Sequence, residues 1–91
     1  MTLNDWLEAQ ELGARRRLAE AVGAHAADMS FWANGTRAVP AHRCLAIERA
    51  TAGEVTAEEL RPDLTWVRVA DEAWPHGKPV LDVETEAAKA A

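Results

Sequence analysis

Tyrosine is absent from this 91-residue chain, phenylalanine and cysteine occur once each, and no run of about 18 apolar residues is present. Each absence removes a class of function. The lone Cys44 cannot close an internal disulfide, which fits a reducing cytosol, and His25, His42 and His76 hold no zinc-ligand spacing with it. Without a spanning stretch, or a basic segment followed by an apolar one, neither a membrane segment nor a signal peptide is expected. The expected location is the cytoplasm, with no membrane partner. No glycine-rich phosphate loop occurs, and the three histidines belong to no acid or nucleophile constellation, so no enzyme activity, cofactor or metal is expected.

Ninety-one residues make one small domain, stable only if most apolar positions are buried. Much of the 48% hydrophobic content is alanine, so Leu, Val, Ile, Met, Trp and Phe must carry the core. The net charge of -5 argues against a non-specific nucleic-acid coat, but the charge is unevenly spread. Between Glu11 and Arg49 six arginines face four carboxylates, whereas from Asp71 onward five carboxylates face two lysines. The basic groups gather in the first half.

Periodicity and capping signals divide the chain into five short helices. Thr2 suits an N-cap with Asp5 in the first turn, so a first helix is expected from about Leu3 to Glu11, its stripe formed by Leu3, Trp6 and Leu7. Trp6 reads as core. A second helix runs from about Ala14 to Val22, with Leu18, Ala19 and Val22 on one face, and Gly23 follows where a left-handed residue commonly closes a helix. A third spans about Ala26 to Asn34 and turns Met29 and Trp32 inward. Asn34-Gly35 marks a turn, and Pro40 suits the first position of a fourth helix reaching about Ala50, with Cys44, Ile47 and Thr51 inward and Arg43 and Arg49 outward. Cys44 reads as core rather than reactive. Thr56-Ala57-Glu58-Glu59 matches a capping box for a fifth helix ended by Pro62.

After Pro62 the period changes. Runs 65–70 and 79–83 are β-prone and could pair as a long-looped hairpin that would have to dock on the helices or on another subunit. Residues 84–91 offer nothing to bury and read as a flexible tail. The expected division is a helical unit over 1–63, a β-prone extension over 64–83 and the tail.

Leu18 to Thr36 thus reads as two helices meeting at a glycine-centred turn. The spacing of Ala19, Gly23, Met29 and Trp32 resembles that of Cro/CI-type helix-turn-helix regulators. Continuing through Trp32-x-Asn34-Gly35-x-Arg37-x-Val39-Pro40, the Ala46-Ile47-Glu48-Arg49-Ala50-Thr51 helix and Leu60-Arg61-Pro62-Asp63, the run is similar to the YdaS-like branch of small prophage regulators, over roughly residues 3–63. The resemblance implies a mainly α, five-helix, lambda-repressor-like fold with a short C-terminal β-prone extension. It also implies a sequence-specific DNA-binding regulator, a repressor or antitoxin component, with double-stranded DNA as partner and the 26–34 helix in the major groove.

On that resemblance the base-reading positions hold Ala26, Ala27, Ser30 and Phe31, which offer methyl, hydroxyl and ring contacts and no bidentate hydrogen-bonding group. Asp28, among them, is also explained as a carboxylate favoured by the helix dipole. Asn34, Thr36 and Arg37 fall where the family contacts the sugar-phosphate backbone, although Asn34 could equally be a helix cap. Arg15 and Arg16 open the second helix, where cations oppose the dipole unless an anion is near, and with Arg43 complete the backbone candidates. Few polar readers on one helix favour a homodimer on two half-sites, with Trp66 and Trp74 of the extension as the candidate dimer surface. The alternative is a degenerate helix-turn-helix serving as a protein-protein interaction module.

Overall fold

The computed structural model describes residues 1–82; Val83 and the tail expected over 84–91 lie outside the described residues. Five helices precede a two-stranded antiparallel sheet: α1 (Leu3–Glu8), α2 (Ala14–Val22), α3 (Ala26–Ala33), α4 (Ala41–Ala50), α5 (Ala57–Leu60), β1 (Trp66–Val69) and β2 (Lys78–Leu81). The architecture is the mainly α one expected. One core cluster joins Leu3 and Leu7 of α1, Leu18, Ala19 and Val22 of α2, Met29 of α3, Cys44 and Ile47 of α4, and Val55 and Ala57 at the start of α5. Met29, Ile47 and Val55 have no exposed surface. Each such aliphatic side chain contributes roughly 1.5–3 kcal/mol relative to leaving it in water. Burial also pushes the Cys44 thiol up to about 11, so it sits in the core as an unreactive apolar group.

Local chemistry sets most helix ends. The Thr2 hydroxyl accepts the Asp5 N–H at 3.1 Å, and the Thr56 hydroxyl accepts the Glu59 N–H at 3.3 Å while donating to the Glu59 carboxylate at 3.0 Å. Gly23 closes α2 at φ +75, its N–H donating to Glu20 O at 3.3 Å while the Ala24 N–H reaches Ala19 O at 2.8 Å. That pair of bonds is a Schellman closure. A second one ends α4, where Ala52 N–H meets Arg49 O at 3.1 Å and Gly53 N–H meets Glu48 O at 2.8 Å. There Ala52 is left-handed at φ +54, followed by Gly53 at φ +81.

Two boundaries differ from expectation. The first helix stops at Glu8, not Glu11, because its apolar stripe ends at Leu7 and residues 9–12 have nothing to bury; Leu12 is 98% exposed. Pro40 has ψ 144 and caps α4 from outside, its carbonyl accepting the N–H groups of Arg43 at 2.9 Å and Cys44 at 3.2 Å.

β1 and β2 pair with Trp66 opposite Leu81, Val67 opposite Val80, Arg68 opposite Pro79 and Val69 opposite Lys78. Alternation turns Trp66, Arg68, Pro79 and Leu81 to one face and Val67, Val69, Lys78 and Val80 to the other, which is the exposed one. The hairpin docks on the helices of its own chain. Trp66 packs on the core cluster with its indole N–H donating to Arg61 O at 3.1 Å, and Trp74 is buried with the Arg49 guanidinium 5.6 Å from its ring. Of the two tryptophans expected at a dimer surface, Trp74 is buried within the chain, whereas Trp66 is half-buried and lines an apolar groove with Leu45, Pro79 and Leu81.

The tie between sheet and helices is ionic. Glu48 is 0% exposed and its carboxylate accepts the Ala57 N–H at 2.8 Å and the Arg68 Nη2 at 2.7 Å, while its other oxygen accepts Arg68 Nη1. Arg68 also donates to Gly77 O at 2.8 Å and to both oxygens of Glu58. All the N–H directions of the half-buried Arg68 are used, and the buried Glu48 charge is paired as its burial requires. Glu48 follows Cys44 by four residues, and that inward helical position was the sequence signal of its burial.

Candidate nucleic-acid interface

Residues 26, 27, 30 and 31 follow at i, i+1, i+4 and i+5, so Ala26, Ala27, Ser30 and Phe31 share one side of α3, opposite the buried Met29. Ala26 and Ala27 are exposed; Ser30 and Phe31 are half-buried. The three residues 23–25 alone separate α2 from α3, and α2 packs against both α3 and α4, which fixes the direction of α3. Asp28 has an internal role at the start of α3. Its carboxylate accepts the His25 N–H at 3.1 Å and complements the helix dipole.

Beyond α3 the chain turns sharply. Asn34 occupies the C-cap position and its Oδ1 accepts the Thr36 N–H at 2.9 Å together with the Thr36 hydroxyl, so these two backbone candidates are bonded to each other. Gly35 follows at φ +79 with nothing near enough to meet a side chain. Arg37 then returns to α3. Its N–H donates to Phe31 O at 3.3 Å and its guanidinium carbon stands 4.5 Å from the centroid of the Phe31 ring.

The remaining arginines divide by whether their donors are engaged. Arg16 pairs with Glu20 at 3.3 Å, one helical turn on, and Arg17 donates to Leu12 O at 3.1 Å. Arg15, exposed in the first turn of α2, makes no side-chain hydrogen bond or ion pair with another described residue. Arg43 does not point outward. Half-buried, it donates to Val22 O, supplying a cation and a donor to the C-terminal carbonyl of α2, and its Nη1 is what an added Cβ on Gly23 would meet at 3.0 Å.

A groove of about 500 Å³ lies beside the end of α3, lined by Trp32, Asn34 and Arg37 on one side and by Glu59, Arg61 and Asp63 on another. Its charge is mixed, and Arg61 is bonded to Val39 O at 3.0 Å and to Asp63. Among the described residues no group of three or more His, Cys, Asp or Glu is gathered as a metal site would require, and no helix is long and apolar enough to cross a membrane.

A family model described as "Bacterial toxin YdaS" matches residues 7–69, from the last turn of α1 to the end of β1. Over 55 residues the chain is 47% identical to a protein of Escherichia coli (strain K12) described as "Putative transcriptional regulator YdaS", covering 60% of this chain and 56% of that relative. The matched part is thus little more than half of the relative's length.

Proposed function

The chain belongs to the YdaS family, and from that premise we propose that it is a sequence-specific DNA-binding transcriptional regulator of prophage type, a repressor or antitoxin component, acting in the cytoplasm as a homodimer. It binds and performs no chemistry. The observation that carries the reading is the α2–turn–α3 unit: a helix whose side bearing Ala26, Ala27 and Ser30 is not committed to the core, with exposed guanidiniums before it in the chain at Arg15 and after it at Arg37 that have no hydrogen bond to the described protein. Such a helix suits the major groove, with methyl and hydroxyl groups against base edges and guanidiniums on the phosphates to either side. Because the base-facing groups are weak discriminators, phosphate contact supplies most of the affinity and a second half-site supplies much of the specificity.

Selection of bound fragments from a random duplex library, followed by binding at several salt concentrations, tests this. A short enriched site, with log K falling linearly in log salt, is the expected result. If neither selected nor random duplex is bound at about 50 mM salt, the regulator reading falls. The unit is then a protein-protein interaction module, a reading favoured by the absence of Arg, Lys, Gln and Asn from the outward positions of α3.

A further inference from the structure

We infer that Phe31 is a positioning residue that acts through Arg37 and does not itself read bases; this rests on the DNA-binding reading above. Arg37 is attached to Phe31 twice, by its backbone N–H to the Phe31 carbonyl at 3.3 Å and by its guanidinium over the ring at 4.5 Å. The Asn34–Thr36 hydrogen bonds and the left-handed Gly35 hold the intervening turn. A cation over an aromatic face is attracted by the ring quadrupole and keeps its N–H groups, which lie in the guanidinium plane, for other acceptors. None of the Arg37 side-chain donors is bonded to another described residue.

Among the other arginines from Arg15 to Arg43, Arg16, Arg17 and Arg43 have protein acceptors and Arg15 has no ring beneath it. Arg49, over the Trp74 ring at 5.6 Å, is likewise unbonded but sits in the last turn of α4; beside α3, Arg37 is the one that is both held and open to a ligand. A planar fork fixed at the end of α3 matches a phosphate diester of the DNA backbone, to which it can donate two parallel hydrogen bonds. The ring that holds it is half-buried and has a guanidinium over one face, so little of it remains for a thymine methyl.

The test uses the full chain with a duplex selected from a random library and with a random-sequence duplex, across salt concentrations. Arg37→Ala should weaken both duplexes equally and lower the salt slope by about 0.9. Phe31→Leu, which keeps apolar bulk and removes the ring face, should weaken both by about two- to fivefold with their ratio unchanged, and add nothing in the Arg37→Ala background. Phe31→Tyr should restore binding. In the free protein the Arg37 δ-methylene protons should resonate upfield of their ordinary position and return to it in Phe31→Leu. Loss of the selected-to-random ratio in Phe31→Leu, full additivity with Arg37→Ala, or δ-methylene shifts indifferent to the substitution would each overturn the inference while leaving the DNA-binding reading intact. A wild-type chain that binds neither duplex overturns both.

Discussion

Arg68 on β1 holds the buried carboxylate of Glu48 on α4 by both of its oxygens, across twenty residues of chain. This pair fastens the hairpin to the helices, and its energetics are asymmetric. Two well-packed apolar residues could replace it at the loss mainly of the acceptor for the Ala57 N–H, whereas removing one partner strands a charge in the core.

Arg68→Met should therefore destabilise the protein by about 3–5 kcal/mol in denaturant unfolding. Glu48→Met in the same chain should regain part of this, leaving about 1–3 kcal/mol for the Ala57 N–H that loses its acceptor. Equal stability of the single and double variants would contradict the account.

Glu58 supplies a pH dependence. Its hydrogen bonds from Arg68 hold its carboxyl below the usual glutamate value of 4.5, even against some burial. A carboxyl with a lowered folded pKa contributes stability that is fully present above the unfolded value and is lost as pH falls through the folded one. Stability should therefore decline as pH drops below 4.5, and Glu58→Gln should be less stable at neutral pH while losing less on acidification. Urea unfolding of both proteins across the acid range measures the difference; parallel curves would refute the assignment.

Gly23→Val should cost at least about 1 kcal/mol, because a β-branched residue tolerates the left-handed conformation poorly. The new Cβ would also press on Arg43 Nη1 at 3.0 Å, the group that satisfies Val22 O. A melting temperature equal to that of wild type would remove the strained turn from the account.

Ala52→Gly should go the other way. Ala52 sits at φ +54, where alanine carries a steric cost that glycine avoids, so the substitution should stabilise by roughly 0.5–1 kcal/mol despite the greater freedom of an unfolded glycine. A denaturant midpoint that falls would show that the α4 end relaxes differently.

What was legible in the sequence was what is local. Thr2, Thr56 and Gly23 act on backbone groups within five residues, so the ends they set could be read from type and position alone. Glu48 and Arg68 could not be paired that way: helical period places Glu48 inward, but its partner comes twenty residues later and is brought to it only when the hairpin folds back. The burial of Trp74 has no local signal either: the arginine over its ring, Arg49, stands twenty-five residues earlier. In the candidate interface, the face shared by Ala26, Ala27, Ser30 and Phe31 follows from helical period. The fold of Arg37 over Phe31 passes through a non-helical turn and has no periodic signal, and Arg43 looked like an outward cation because the carbonyl it satisfies belongs to another helix.

Pro79 bears on how this small sheet behaves toward other chains. The Asp82 N–H donates to Thr65 O at 2.9 Å, and since antiparallel pairs alternate, Val67–Val80 and Val69–Lys78 are the hydrogen-bonded pairs while Arg68–Pro79 is not. The amide hydrogen that proline lacks would have pointed away from β1, so the ladder loses nothing by it. β2 has no second strand neighbour among the described residues. Its outer margin therefore has a gap in its row of donors where an incoming strand would dock, which guards a short, valine-bearing hairpin against recruiting further strands into an aggregate.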